Sequence, residues 1–329
     1  MSAADLTQDA PRRPFTGRRV RFGDAALQTV AGLAALGATA LVGLITWKVV
    51  DGSLTSITKY GFHFIWRVAW NPVIGRELYG AGSFLFGTAI TSIFALLLAT
   101  PLAIGIALFL TELSPRVLRA PVTALVETLA AVPSVVVGLW GILVLGPLLR
   151  NHVEGFLHRE LGFIPLFGSP GSGSGVFTAI VVLAIMILPI VSSISRELFL
   201  GVPSELKEGA LALGTTRWEM VRGVVFPYAR GGLAAAMILG LGRAIGEAIA
   251  VTQVIGGGVF IHWNLFGTGD TLASKIAEVY AGATTKLELS SLIYLGLILL
   301  VFSLIANLAA QWIVRGVARK HGVVRGGRA

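Results

Sequence analysis

Two residues of opposite charge lie inside an otherwise apolar stretch of the chain, residues 231–254. Arg243 and Glu247 are four positions apart, so on a helix they would lie on the same face. A charge in the hydrocarbon of a bilayer costs at least about 2.5–3.5 kcal/mol on insertion scales, and such residues usually face other helices or an aqueous path. The pair therefore predicts either an element that lines or gates a pathway, or a structural pair in which each charge neutralises the other.

A further acidic residue, Glu127, lies near the start of another apolar stretch, residues 120–149. Its carboxylate would either extend to the membrane interface or face a pathway. Pro133 and Ser134 follow about two turns deeper, where a proline can kink the helix and expose polar backbone. The candidate pathway residues are Arg243, Glu247, Glu127 and Ser134.

Composition argues against enzyme chemistry on this chain. The 329 residues include no cysteine, and the five histidines are scattered without the spacing of metal ligands. The glycine-rich run at residues 168–175 lacks the Lys-Ser/Thr pair of a phosphate-binding loop, and no such loop occurs elsewhere. We therefore expect no catalytic residue, no metal and no bound cofactor on this chain. ATP and its Mg²⁺, if they are used, would bind to a separate subunit.

The composition indicates an integral membrane protein. Apolar residues make up 55% of the chain and charged residues 13%, whereas soluble domains contain about 25% charged residues. The mean hydropathy of +0.81 agrees. Six stretches reach the roughly 20 apolar residues that are needed to cross a bilayer. Their predicted bounds are 25–47, 84–110, 120–149, 176–195, 231–254 and 289–314.

These six stretches predict an all-α fold with one transmembrane domain, residues 25–329, after a basic tail, residues 1–24. Most of the 26 lysines and arginines lie in segments that are cytoplasmic if the N-terminus is inside, which predicts that both termini are cytoplasmic. The basic ends would anchor this topology near anionic lipid rather than bind nucleic acid. Their residues are Arg12, Arg13, Arg18, Arg19, Arg21, Arg315, Arg319 and Lys320.

The longest predicted cytoplasmic segment, residues 196–230, lies between the fourth and fifth spans. Pro203 fits the start of a short helix and Gly214 its end. Thr216 and Glu219 have the spacing of a capping box at the start of a second helix, and Pro227 would stop that helix. The segment therefore predicts a compact helical hairpin on the cytoplasmic side, which another protein can contact.

The hairpin carries a pattern that resembles the EAA signature of ABC-importer permeases. In that signature Glu-Ala-Ala is followed by Gly and then by an apolar residue and Pro. Here Gly209 replaces the first alanine and Phe226 stands where leucine is usual. Residues 127–141 and 240–247 look like the third and fifth spans of phosphate-uptake permeases of the PstC type, and the similarity covers roughly residues 60–315. The matching hairpin positions are Glu208, Gly209, Ala210, Gly214, Phe226 and Pro227.

This resemblance implies a type I ABC-importer permease in the cell membrane that moves inorganic phosphate into the cytoplasm. It implies as partners a related PstA-like permease, two PstB-like ATPases and an external PstS-like phosphate-binding protein. The six hairpin positions would contact the ATPase. The forked guanidinium of Arg243 would suit phosphate, and Glu247 would keep the anion from being held too tightly.

Other functions stay open at this point. The same kind of permease could carry molybdate, sulfate or another solute. An ion-coupled secondary transporter could use Arg243 and Glu247 as a proton relay, although the sequence shows no clear internal repeat of the kind such transporters often have. A membrane enzyme is disfavoured because no nucleophile–base pair stands out, and a signalling role beside transport is compatible with the family.

Overall fold

The structure is a computed structural model that describes residues 22–320, with side chains from residue 23 to residue 314. The chain divides into two compact units, residues 1–48 and 49–329. The described part of the first unit is the beginning of a long apolar helix. Residues 1–21 of the predicted basic tail lie outside the described residues. The side chains of Arg315, Arg319 and Lys320 are not described either.

Helices dominate the described residues. In chain order they are α1 (Phe22–Tyr60), α2 (His63–Trp66), α3 (Gly82–Leu113), α4 (Arg116–Ala131), α5 (Ser134–Leu161), α6 (Val176–Leu200), α7 (Ser204–Ala212), α8 (Arg217–Gly246), α9 (Ile249–Val254), α10 (Leu272–Val279) and α11 (Lys286–Lys320). Six of these described helices, α1, α3, α5, α6, α8 and α11, are long and apolar enough to cross a membrane. This confirms the predicted all-α, six-helix membrane fold.

Two short strands, β1 (Trp70–Asn71) and β2 (Leu78–Tyr79), precede α3 and pair antiparallel, with Trp70 opposite Tyr79.

Four predicted stretches, residues 25–47, 84–110, 176–195 and 289–314, lie inside α1, α3, α6 and α11. Each helix is longer than its apolar stretch because polar residues continue it beyond the apolar part.

The third predicted stretch, residues 120–149, is not one helix. Helix α4 ends at Ala131, Val132 is extended with ψ of 126°, and α5 begins at Ser134. Pro133 causes the break because its ring disfavours helical backbone at the preceding residue and it has no N–H to donate. The spanning helix is therefore α5, which runs to Leu161 and so starts later and ends later than predicted.

The fifth predicted stretch, residues 231–254, also differs from the structure. Helix α8 starts at Arg217 and passes through Pro227, so the prediction that this proline stops a helix is wrong. A π-helical turn at Val221–Val225 comes directly before it, and such a wide turn accommodates the missing N–H of a proline. At its other end α8 stops at Gly246, and the separate helix α9 follows.

Helix α6 is the most buried of the spanning helices and forms the centre of the largest core cluster. It packs against α3 through the fully buried alanines Ala95, Ala99 and Ala103. It also packs against α8, where a Cβ on Gly240 would come within 2.8 Å of Ile187. Small residues let membrane helices approach closely, so these contacts fix α6 between its two neighbours.

The segment before α10 packs tightly on the first half of α3. The backbone N–H of Leu272 donates to the hydroxyl of Thr88 over 2.9 Å. A Cβ added to Gly87 would lie only 2.1 Å from the carbonyl oxygen of Asp270, which leaves no space for any other residue. Gly87 is therefore required by the approach of two backbones.

We predict that Gly87→Val lowers the stability of the folded protein by about 1–3 kcal/mol, the usual cost of overpacking. Gly105→Val on the same helix is the matched control, because its added Cβ would meet no atom within 4 Å apart from the neighbouring backbone of its own helix. The measurement is the thermal unfolding of both purified variants in detergent. Equal shifts for the two variants would show that the contact at Gly87 is not tight.

Candidate functional site

In the hairpin between α6 and α8, helix α7 ends in the way that the sequence predicts. Leu213 closes the helix, and Gly214 follows with φ of +84°, a left-handed conformation that favours glycine. The hydroxyl of Thr215 donates to the carbonyl oxygen of Ala210 over 2.8 Å and pairs one of the last helical carbonyls. The turn is thereby fixed by backbone conformation and one side chain.

The predicted capping box at the start of α8 is confirmed. The N–H of Glu219 donates to the hydroxyl of Thr216 over 3.3 Å, and the N–H of Thr216 donates to the carboxylate of Glu219 over 2.8 Å. The box sets where α8 begins, and therefore how far the hairpin extends from the membrane helices.

Most of the predicted coupling residues lie together on this hairpin. Glu208, Gly209 and Gly214 are exposed, and Ala210 is half-buried. Phe226 lies elsewhere: its ring meets the buried Phe199 edge-on, with centroids 5.9 Å apart, inside the cluster that supports the hairpin. The remaining predicted coupling residue, Pro227, is exposed on α8.

Exposed apolar side chains cover the hairpin surface, and the sequence reasoning did not single them out. Leu213 is 87% exposed at the turn, and Trp218 is 64% exposed in the first turn of α8. Leu206 and Leu211 of α7 are exposed beside them. Tryptophan is enriched where one protein binds another, and a large apolar group in a polar hairpin is the signal that points to such a surface.

Helix α7 is tied to the membrane helices by one lysine. The ammonium of Lys207 lies 2.6 Å from a carboxylate oxygen of Glu112 at the end of α3, and it donates to the carbonyl oxygen of Phe199 over 3.0 Å. Both charged side chains are largely buried. The sequence gives no signal for this contact, because its partners are 95 residues apart.

Arg243 and Glu247 do not form the predicted pair. The helix ends at Gly246, and Glu247 has ψ of 119°, so the two side chains do not share a helix face. The carboxylate of Glu247 instead accepts the N–H of Ala250 at the start of α9 over 3.3 Å. Among the described residues, no ion pair within 4.0 Å involves Arg243.

Arg243 lines a cavity of about 50 Å³ next to the break between α4 and α5. Leu129, Ala130 and Val132 form the wall at the end of α4, and Val137 contributes from α5. Ser134 is half-buried at the first residue of α5, where the first N–H groups of a helix have no partner within it. Ser134 is not among the residues that line this cavity, so the positive charge at the cavity comes from the guanidinium of Arg243. Helix α6 closes the cavity with Ile185, Met186 and Ile190.

Glu127 lies beside a second cavity, of about 20 Å³, further along the same groove between α4 and α6. Its lining includes Ser192 and Ser193 of α6 and the half-buried Arg196, which donates to the hydroxyl of Thr123 over 2.9 Å. The structure therefore places Glu127 with Arg196 rather than with Arg243. The sequence reasoning did not consider Arg196 as a site residue, because it lies at the edge of an apolar stretch.

A buried charged cluster lies in the segment that follows α9. The ammonium of Lys275 is 3.5 Å from Asp270 and 2.9 Å from Glu278. Burial raises the pKa of Asp270 above its usual range, against the opposing effect of the Lys275 charge. Asp270 also accepts the N–H of Gly258, so the cluster closes the loop between α9 and α10.

Three known proteins illustrate what the sequence is similar to. The phosphate transport system permease protein PstC of Mesorhizobium japonicum is 40% identical over 328 residues, which cover 98% of this chain and all of the relative. PstC of Pasteurella multocida is 41% identical over 286 residues, covering 86% and 88% of the two chains. PstC 2 of Mycobacterium tuberculosis is 46% identical over 243 residues, covering 72% and 75%.

The fold agrees with that similarity. A chain from the crystal structure of a bacterial alginate ABC transporter, in complex with an alginate pentasaccharide-bound periplasmic protein, superposes with a TM-score of 0.60 at 18% identity. The superposition covers 91% of this chain and 98% of the other. Residues 99–319 match the family described as the binding-protein-dependent transport system inner membrane component. This protein therefore belongs to that family of multi-pass membrane permeases, among the phosphate transport system permease proteins of the PstC type.

Proposed function

We propose that this chain is the permease subunit of an ATP-driven importer that carries inorganic phosphate into the cytoplasm. The names of the similar proteins support phosphate as the substrate. The observation in this chain that carries the proposal is Arg243, a cation in a spanning helix whose side chain lines a cavity at a break between two other helices. An anion that crosses a bilayer needs such a cation on its path, because bare charge is costly in hydrocarbon.

The separation of Arg243 from Glu247 strengthens this assignment. A guanidinium paired with a carboxylate would present little positive charge to phosphate, whereas Glu247 uses its carboxylate to accept the N–H of Ala250. Arg243 then offers forked donors to the oxyanion, and Ser134 adds a hydroxyl and the helix start. Glu247 would limit how tightly the anion is held, because a transport site must also release its substrate, and Glu127 would lie further along the path in the second cavity.

The hairpin is the proposed contact with the ATPase. Both termini are proposed to be cytoplasmic, which places the hairpin on the side where ATP is found. Its apolar residues Leu213 and Trp218 would enter a groove of a PstB-like ATPase, with Glu208, Gly209, Ala210 and Gly214 in the contact and Phe226 and Pro227 supporting it. ATP and Mg²⁺ would bind to the two ATPases, a PstA-like permease would complete the path, and a PstS-like protein would deliver phosphate from outside.

Reconstitution tests the function directly. The complete transporter in proteoliposomes should take up radiolabelled phosphate when phosphate-loaded binding protein is outside and ATP is inside, and it should not do so without ATP. Excess unlabelled phosphate should compete, while molybdate and sulfate should not. Preferential competition by molybdate or sulfate would move the substrate to that oxyanion, and uptake driven by an ion gradient without ATP would contradict the class.

Arg243→Gln tests the pathway. We expect phosphate uptake to fall about 10- to 100-fold, because a charge-assisted hydrogen bond contributes about 1.5–3 kcal/mol. Arg243→Lys should retain part of the uptake, since it keeps the charge and loses the forked donors. Arg150→Gln is the matched control, because Arg150 is exposed on α5 and lines neither cavity. Full uptake by Arg243→Gln, with subunit assembly unchanged, would remove Arg243 from the path.

A further inference from the structure

The ammonium of Lys207 joins three elements of the fold. It projects from α7, lies 2.6 Å from Glu112 at the end of α3, and donates over 3.0 Å to the carbonyl oxygen of Phe199 near the end of α6. The exposed fractions of the two charged side chains are 18% for Lys207 and 12% for Glu112. This is a mostly buried ion pair at the junction of the hairpin with two membrane helices.

The end of α3 is built to hold Glu112 in place. Its last residues form a π-helical turn, Phe109–Leu113. Arg119 donates to the carbonyl oxygens of Ser114 over 3.0 Å and Thr111 over 3.4 Å, which pairs carbonyls that the end of the helix leaves open. Glu112 therefore sits on a fixed support rather than on a frayed end.

Helix α7 packs against the start of α8 but has few other connections to α3 and α6. None of its nine residues is buried, and Ala210 alone packs partly against the apolar cluster beneath the hairpin. Among the described residues of α7, Lys207 is the one whose side chain forms a hydrogen bond or ion pair with α3 or α6. Apolar contacts between smooth helix surfaces can slide, whereas a charge pair with little water around it holds one geometry.

Helix α6 leads from this junction to the proposed anion site. Phe199 accepts the bond from Lys207, and Ile190 and Met186 of the same helix line the Arg243 cavity. Phe199 lies nine positions after Ile190 in the same helix, which corresponds to about 13 Å at 1.5 Å per residue. A displacement of α7 can therefore be passed along this helix as far as Ile190 at the wall of the cavity, next to Pro189, which removes one hydrogen bond from the helix.

We propose that the Glu112–Lys207 ion pair is the positioning contact through which movement of α7 reaches α3 and α6 and opens the anion path. The inference rests on the proposed function, since it assigns the step between ATP hydrolysis on the partner subunit and movement of phosphate. Lys207 contacts neither the substrate nor ATP, so its removal should alter the coupling of the two processes and leave each binding event in place.

The test measures phosphate uptake and ATP hydrolysis in parallel in proteoliposomes that contain the complete transporter. Lys207→Met and Glu112→Gln should each lower the phosphate moved per ATP hydrolysed by about ten-fold, within the range of ~5–150-fold that is typical of coupling between sites. Lys207→Arg should keep most of the ratio because it keeps the charge. The double variant with Glu112→Lys and Lys207→Glu, in which the two charges are exchanged, should recover more of the ratio than Glu112→Lys alone or Lys207→Glu alone.

The exposed pair Arg159 and Glu160, 3.6 Å apart, provides the matched control. Arg159→Gln and Glu160→Gln should leave the ratio unchanged. If the unaltered transporter carries phosphate and Lys207→Met leaves the phosphate moved per ATP hydrolysed unchanged, the inference is overturned. Loss of ATPase co-purification in both Lys207→Met and Lys207→Arg also overturns it, since the residue would then serve docking. Failure of the unaltered transporter to take up phosphate is a separate result, which refutes the proposed function and with it the inference.

Discussion

A chain that crosses a bilayer must pair its backbone N–H and C=O groups within the protein, so every interruption of a spanning helix needs a local solution. This chain interrupts its helices at Pro133 and at Glu247. The first break lies beside a small cavity, and at the second the carboxylate of Glu247 accepts the N–H of Ala250. Arg243 consequently has no acidic partner within ion-pair distance among the described residues, and its charge faces the first break.

Helix α6 connects the hairpin with the cavity that Arg243 lines. One end supports the hairpin through Phe199, and its middle forms a wall of the cavity that Arg243 lines. Buried alanines of α3 and glycines of α8 pack closely on both sides of it. The proposed coupling would therefore act along about 13 Å of this helix, from Phe199 to Ile190.

Features that depend on neighbouring residues could be predicted from the sequence. The six apolar helices, the helix end at Gly214 and the capping box at Thr216 follow from composition and from spacings of three or four residues. The break at Pro133 was also foreseeable, but its consequence was not, because apolar content alone does not show that α5 rather than α4 spans the membrane. Pro227 gave the opposite error: it predicts the end of a helix, but the preceding π-helical turn accommodates the proline and the helix continues.

Contacts between distant residues could not be predicted. Glu112 and Lys207 are 95 residues apart, and Thr123 and Arg196 are 73 apart, so no periodicity connects them. The assumed pairing of Arg243 with Glu247 relied on continuous helix, and it failed when the backbone turned at Glu247. Arg243 lines a cavity, and its role in a pathway stays a prediction, whereas the predicted pairing with Glu247 is wrong.

A single cysteine on the hairpin would show whether this surface faces the cytoplasm and binds the ATPase, as we propose. The chain has no cysteine, so Leu213→Cys introduces one thiol at the most exposed apolar position of the hairpin. A membrane-impermeant maleimide should label it in inside-out vesicles, fail to label it in right-side-out vesicles, and be blocked when the ATPase subunits are present. Labelling from the outer face would rule out a cytoplasmic hairpin, and equal labelling with and without the ATPase would rule out contact with the ATPase at Leu213.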